Sequence, residues 1–141
     1  MKKLVFILLA AALLFAGYER LAEQDWWPAP GGDSAAYTDP ALVLRGIEVR
    51  DLDGRVAWRG NVDLAPHLAR IERGERDPHR NDGGIFHNRE GRLPDRPVGH
   101  YREYVIRTPG INHAGPQRLV IGRDGEIWYT SDHYRSFRRV R

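Results

Sequence analysis

From Tyr101 onward the chain is written with a period of two, and this constrains its fold more than any other feature. Successive side chains of a strand point to opposite sides, so Tyr101, Glu103, Val105 and Arg107 share one face while Arg102, Tyr104 and Ile106 share the other. Thr108-Pro109-Gly110 ends that strand in a turn. Gln117–Gly122 reads as a second strand, with Arg118 and Val120 on one face. Arg123-Asp124-Gly125 is a hairpin signal, Glu126–Thr130 the return strand and Ser136–Val140 a short last edge. Ahead of this run, Leu64, Leu68 and Ile71 recur at helical spacing. Asp63 serves as N-cap, Pro66 falls in the first turn where it is tolerated, and Gly74 supplies the stop. His67 lies off the apolar stripe and reads as solvated. One short helix followed by antiparallel strands predicts an α+β fold, the helix packed on one face of the sheet.

The N-terminal part is organised differently. Lys2-Lys3 precede an unbroken apolar run from Leu4 to Gly17, the pattern of a secretory leader. Such a run makes a helix about 21 Å long, short of the roughly 30 Å of a bilayer core. Residues 1–17 are therefore expected to be a signal peptide, or else a short membrane anchor, and the protein to be secreted or periplasmic. No stable membrane partner is expected unless the leader stays uncleaved. Residues 18–50, with Trp26-Trp27-Pro28-Ala29-Pro30-Gly31-Gly32, read as a linker or N-terminal extension. Ala41–Trp58, turning at Asp53-Gly54, is either a short hairpin or an extension to the domain. Residues 51–141 are left as the folded domain.

The chain has no cysteine, which excludes a disulfide framework and a thiolate metal site. Its net charge of +3 conceals a split: residues 51–141 carry 17 arginines against 13 acids, and residues 18–50 carry six acids against three arginines. The basic excess suits a polyanionic partner without requiring one. Both lysines fall in the first three residues, so every later cation is an arginine, a planar bidentate donor to phosphate.

The stretch Ile85-Phe86-His87-Asn88-Arg89-Glu90-Gly91-Arg92-Leu93-Pro94, with Gly99-His100-Tyr101-Arg102-Glu103-Tyr104, Thr108-Pro109-Gly110 and Ser131-Asp132-His133-Tyr134, resembles the guanyl-specific microbial ribonucleases. The resemblance runs from about Val62 to Val140 and does not reach the N-terminal third. It implies cleavage of single-stranded RNA on the 3′ side of guanosine, without a metal or other cofactor, through a 2′,3′-cyclic phosphate. It implies that Asn88, Arg89 and Glu90 form the base site, with Phe86 as a stacking face. Guanine presents N1–H and N2–H₂ as adjacent donors, and a carboxylate accepts two parallel hydrogen bonds. Adenine would set a lone pair against that carboxylate, and an unmet acceptor costs about 1–3 kcal/mol. Backbone N–H groups near Asn88 and Arg89 are expected to reach O6.

By the same resemblance Glu103 is the general base, His133 the general acid and Arg118 the phosphate-binding cation, with Tyr134 and Arg89 as further phosphate contacts. Nearby arginines are expected to hold Glu103 ionised. One departure stands out. The family usually has a second arginine four residues before Arg118, where this chain has Ala114. Losing one donor to developing charge costs about two to three decades in rate, unless Arg80, Arg102 or His113 takes its place. The histidines lack the spacing of a zinc site. The resemblance also implies a small acidic, barstar-like inhibitor protein as partner. The competing reading is a ribonuclease-like module that binds RNA but cuts it weakly or not at all.

Overall fold

The computed structural model describes residues 39–141, so the leader and the Trp26-Trp27 stretch lie outside the described residues. A 3₁₀ turn at Pro40–Leu42, capped by the Asp39 carboxylate accepting from Ala41 N–H, leads into strands β1 (Val43–Arg50) and β2 (Val56–Asp63). These two pair antiparallel as a separate two-stranded sheet. Between the Leu44 and Ile47 pairings the register shifts, placing Arg45 and Gly46 opposite Asn61. Gly46 takes φ +64° there, a conformation glycine adopts without a Cβ clash, and donates its N–H to Asn61 Oδ1 at 3.1 Å. The fold thus crosses the boundary expected between residues 50 and 51. Leu42 and Leu44 are fully buried in the main core, in one cluster with Val62 of β2 and Leu64.

Helix α1 spans Ala65–Glu72. Its cap comes from one residue earlier than the N-cap position. Leu64 holds that position without a side-chain bond, and Asp63 Oδ1 accepts from Ala65 N–H at 3.0 Å. Gly74, at φ +71°, closes the other end by donating to Ile71 O at 2.9 Å. His67 is half-buried, contrary to its solvated reading, and burial pushes its imidazole below the ordinary value.

Strands β3 (Gly84–Ile85), β4 (Tyr101–Val105), β5 (Arg118–Gly122), β6 (Ile127–Thr130) and β7 (Arg138–Arg139) form one antiparallel sheet in chain order. This is the α+β layout read from the periodicity. Two faces give two cores. On one, Tyr104, Ile106, Leu119, Ile121, Ile127 and Tyr129 meet Leu64, Leu68 and Ile71 of the helix segment, with Leu44 and Val62 of the hairpin. Each such side chain contributes about 1.5–3 kcal/mol on burial. On the other, Leu93, Tyr101 and Val120 are covered by Phe86, Trp128 and Phe137. Asp82 ties the layers together. Its buried carboxylate accepts from Arg70 Nη1 (3.1 Å) and Nη2 (3.3 Å), Asp77 N–H (2.9 Å) and Val105 N–H (2.7 Å).

Candidate active site

Glu103 lies at the middle of β4, hydrogen-bonded between β3 and β5 in the register Gly84↔Glu103↔Val120. The two-residue alternation puts it on the face of the smaller core, with Arg118 two residues along β5 from its partner Val120. Both are buried, at 8% and 3% exposure. Arg118 Nη1 donates to Gly115 O and Gln117 O, each at 2.7 Å, which aims the guanidinium. Its Nε is buried and has no hydrogen-bond partner among the described residues. A buried donor left unmet is costly unless a ligand completes it.

His133 and Tyr134 come from the loop after β6. Both hold positive φ, +55° and +68°, which is uncommon for residues with a Cβ and cannot persist without surrounding support. The support is visible. Asp132 Oδ1 accepts from Thr130 Oγ1 and from Ser136 N–H, both at 2.9 Å, and Oδ2 accepts from Ser136 Oγ at 2.6 Å. His133 N–H donates to Pro116 O at 3.1 Å, and Tyr134 N–H to Thr130 Oγ1 at 3.1 Å. The Tyr134 hydroxyl then donates to Glu103 Oε2, and the His133 ring lies 4.8 Å from the Tyr134 ring. Tyr134 thus bridges carboxylate and imidazole, with the Arg118 guanidinium 5.9 Å above its ring. Its phenol is pushed well above the ordinary value, by burial first and then by the Glu103 carboxylate.

The loop from Phe86 to Pro94 stands opposite. The Asn88 side chain is spent on the loop itself: Nδ2 donates to Leu93 O at 2.8 Å, and Oδ1 accepts from Leu93 N–H at 3.0 Å. With Asn88 at φ +49° and Gly91 N–H donating to Asn88 O at 2.9 Å, residues 88–91 form a tight turn. The backbone N–H groups of Asn88 and Arg89 make no hydrogen bond among the described residues. Glu90 is exposed at the tip, paired with Arg92 Nε at 3.0 Å. Phe86 stacks on Tyr134 (centroids 5.4 Å, 29° between planes) and meets Phe137 edge-on.

All eight residues singled out from the sequence line one cleft of about 740 Å³: Phe86, Asn88, Arg89, Glu90, Glu103, Arg118, His133 and Tyr134. The expected sign of the Glu103 shift is reversed. Burial raises its pKa above the ordinary value, and the Tyr134 hydrogen bond and the Arg118 charge only partly offset this. His133 is pushed below its ordinary value, by desolvation first and then by Arg118 and Arg135. Of the three substitutes for the arginine missing at Ala114, Arg80 lines the cleft. Arg102 Nη1 donates to Gly83 O at 2.7 Å, and His113 Nε2 is engaged with Asp51 Oδ2 at 3.2 Å. Reading the sequence assigned no role of its own to Asp132, met only within the Ser131-Asp132-His133-Tyr134 motif, and none to His79. Asp132 carries a local signal, an acid two residues from Thr130 and four from Ser136. His79, which lines the cleft from the polar loop before β3, carries none. Among the described residues, His100, Asp124 and Glu126 are grouped closely enough to hold a cation, but none of them lines the cleft.

A family model described as ribonuclease matches residues 62–141. The chain is 50% identical over 68 residues to guanyl-specific ribonuclease St of Saccharopolyspora erythraea, covering 48% of this chain and 67% of that protein. It is 46% identical over 89 residues to guanyl-specific ribonuclease Sa3 of Kitasatospora aureofaciens, covering 62% and 63%. The chain thus spans about two thirds of the length of these relatives. Among solved structures it is similar to ribonuclease Sa2 in complexes with mononucleotides, at 40% identity and a TM-score of 0.50, covering 52% of this chain and 77% of that one.

Proposed function

The chain belongs to the ribonuclease family and is an RNA-cleaving enzyme, and we propose that it cuts single-stranded RNA on the 3′ side of guanosine by metal-independent transphosphorylation. One observation carries this reading. A buried carboxylate and an imidazole line the same cleft as a buried arginine whose Nε has no partner among the described residues. Glu103 takes the proton of the ribose 2′-OH as the 2′-oxygen bonds to phosphorus. His133 gives its proton to the departing 5′-oxygen as the phosphorus–oxygen bond breaks, leaving a 2′,3′-cyclic phosphate. The two then exchange roles as water opens the ring. Arg118 and Arg80 hold the phosphate as charge builds on its oxygens.

Guanine preference rests on Glu90 for the N1–H and N2–H₂ edge and on the N–H groups of Asn88 and Arg89 for O6. The Glu90–Arg92 pair is exposed and opens at little cost. Export is proposed from the Lys2-Lys3 and Leu4–Gly17 pattern. An acidic inhibitor protein is a proposed partner, because Arg80, Arg89 and Arg118 line the cleft.

The full chain is to be incubated with RNA in EDTA and the product ends sequenced. Cleavage 3′ to G with cyclic phosphate ends is expected, falling by about two to four decades in Glu103→Ala and His133→Ala. Tight RNA binding without product would instead favour the binding module, for which Ala114 is the supporting feature.

A further inference from the structure

His133 faces two depressions. Besides the large cleft, it lines a second groove of about 300 Å³. Arg50, Asp51 and Leu52 at the tip of the β1–β2 hairpin form one wall, and Asp132, His133 and Arg135 form the other. The hairpin tip is fixed against the sheet. His113 Nε2 engages Asp51 Oδ2 at 3.2 Å, and His113 Nδ1 accepts from Gly115 N–H at 3.1 Å. The loop that carries Ala114 therefore holds the hairpin in place.

Reaction geometry says what lies beyond His133. In phosphoryl transfer the entering and leaving oxygens stand roughly in line across phosphorus. Glu103 serves the entering 2′-oxygen and His133 the leaving 5′-oxygen, so the departing nucleoside lies beyond His133 as seen from Glu103. His133 is itself one of the residues lining the smaller groove, which puts that groove within reach of the departing unit. Its volume is at the low end of the roughly 300–1,000 Å³ of small-ligand sites, right for one nucleoside unit. Its acids are already engaged: Glu48 with Arg50 (2.6 Å) and Arg59 (2.7 Å), Asp51 with His113, and Asp132 with Ser136. Leu52, 70% exposed, gives the rim an apolar surface. With those acids engaged, Arg135 is left without an acid partner among the described residues, so the wall offers the departing unit an apolar rim and one cation. The hairpin wall also lies wholly before residue 62, where the family match begins.

Resting on the ribonuclease reading above, we propose that this groove binds the nucleoside on the leaving side of the scissile phosphate, making the N-terminal hairpin part of the substrate-binding surface. Two substrates test it in the full-length enzyme. Guanylyl-(3′→5′)-uridine has a leaving nucleoside, whereas guanosine 2′,3′-cyclic phosphate, opened by water, has none. Leu52→Asp reshapes the wall, and Asp51→Asn loosens its tether. Both variants are expected to lower kcat/KM on the dinucleotide about five- to tenfold, the low end of losing one base contact, and to leave hydrolysis of the cyclic phosphate unchanged. An equal fall on both substrates, or no fall on either, would overturn the groove assignment. A wild-type enzyme that turns over neither substrate would defeat the ribonuclease reading itself, and the groove with it.

Discussion

At the residue scale, Glu103 is placed where its charge is expensive. It sits on the inner face of a central strand, and burial lifts its pKa above the ordinary 4.5 despite Tyr134 and Arg118. A base with a raised pKa accepts a proton more readily in the transition state, so under the proposed mechanism this cost would serve catalysis. It also has a sign in stability. A raised folded pKa means that the carboxyl favours the fold fully below its unfolded value, and that this contribution is lost as pH rises through the folded value. Glu103→Gln, which cannot ionise, is therefore expected to raise Tm at pH 7.5 and to leave it little changed at pH 4, by calorimetry at both. Equal shifts at the two pH values would contradict the burial argument. The same residues shape the rate. Under the proposed mechanism activity needs Glu103 ionised and His133 protonated, and the His133 pKa is lowered from 6.5. The two shifts run toward each other, so the kcat/KM profile of the free enzyme is expected to be a narrowed bell, its acid limb displaced above pH 4.5 and its basic limb below pH 6.5. A basic limb above pH 6.5, in initial rates at low substrate, would show His133 to be less perturbed than its surroundings imply.

At the scale of elements, the loops owe their shape to a few side chains that bond to backbone. Asn88 folds the base loop, Asp132 folds the loop that presents His133, and Asp82 joins α1 to β4 and to the segment before β3. Asp82 is the most consequential of the three, since its side chain has no exposure and serves four donors. Asp82→Ala leaves Arg70 without its carboxylate and Val105 N–H without an acceptor. A loss of about 3 kcal/mol is expected, the lower end for a broken buried pair because Arg70 keeps some solvent. Urea unfolding measures it, and a loss similar to that of an exposed acid such as Asp53→Ala would refute the assignment. Periodicity made the strands and α1 legible. It could not assign the β1–β2 hairpin to the main core, because only the packing of Leu42 and Leu44 against Val62 and Leu64 decides that.

At the scale of the molecule, the chain is basic, but much of its charge is paired locally. Arg50, Arg59, Arg70, Arg73, Arg92 and Arg107 all hold acid partners within 4.0 Å. Arg80, Arg89 and Arg118 are the arginines that line the cleft without an acid partner among the described residues. RNA cleavage is therefore expected to weaken gently with salt, the logarithm of kcat/KM falling with a slope of about −2 against the logarithm of salt concentration, as for a few neutralised phosphates on a single strand. A much steeper slope would mean that RNA tracks the outer arginines as well. By itself the sequence made α1 and the strands from Tyr101 onward legible, because side-chain period and turn chemistry act over a few neighbours, whereas the base loop and the acid–base pair came from resemblance to a family. Only the tertiary structure decided the sign of the Glu103 shift, the diversion of His113 to the hairpin and the meeting of two grooves at His133. Each depends on which distant groups exclude water from a site, and burial is a property of the packed whole.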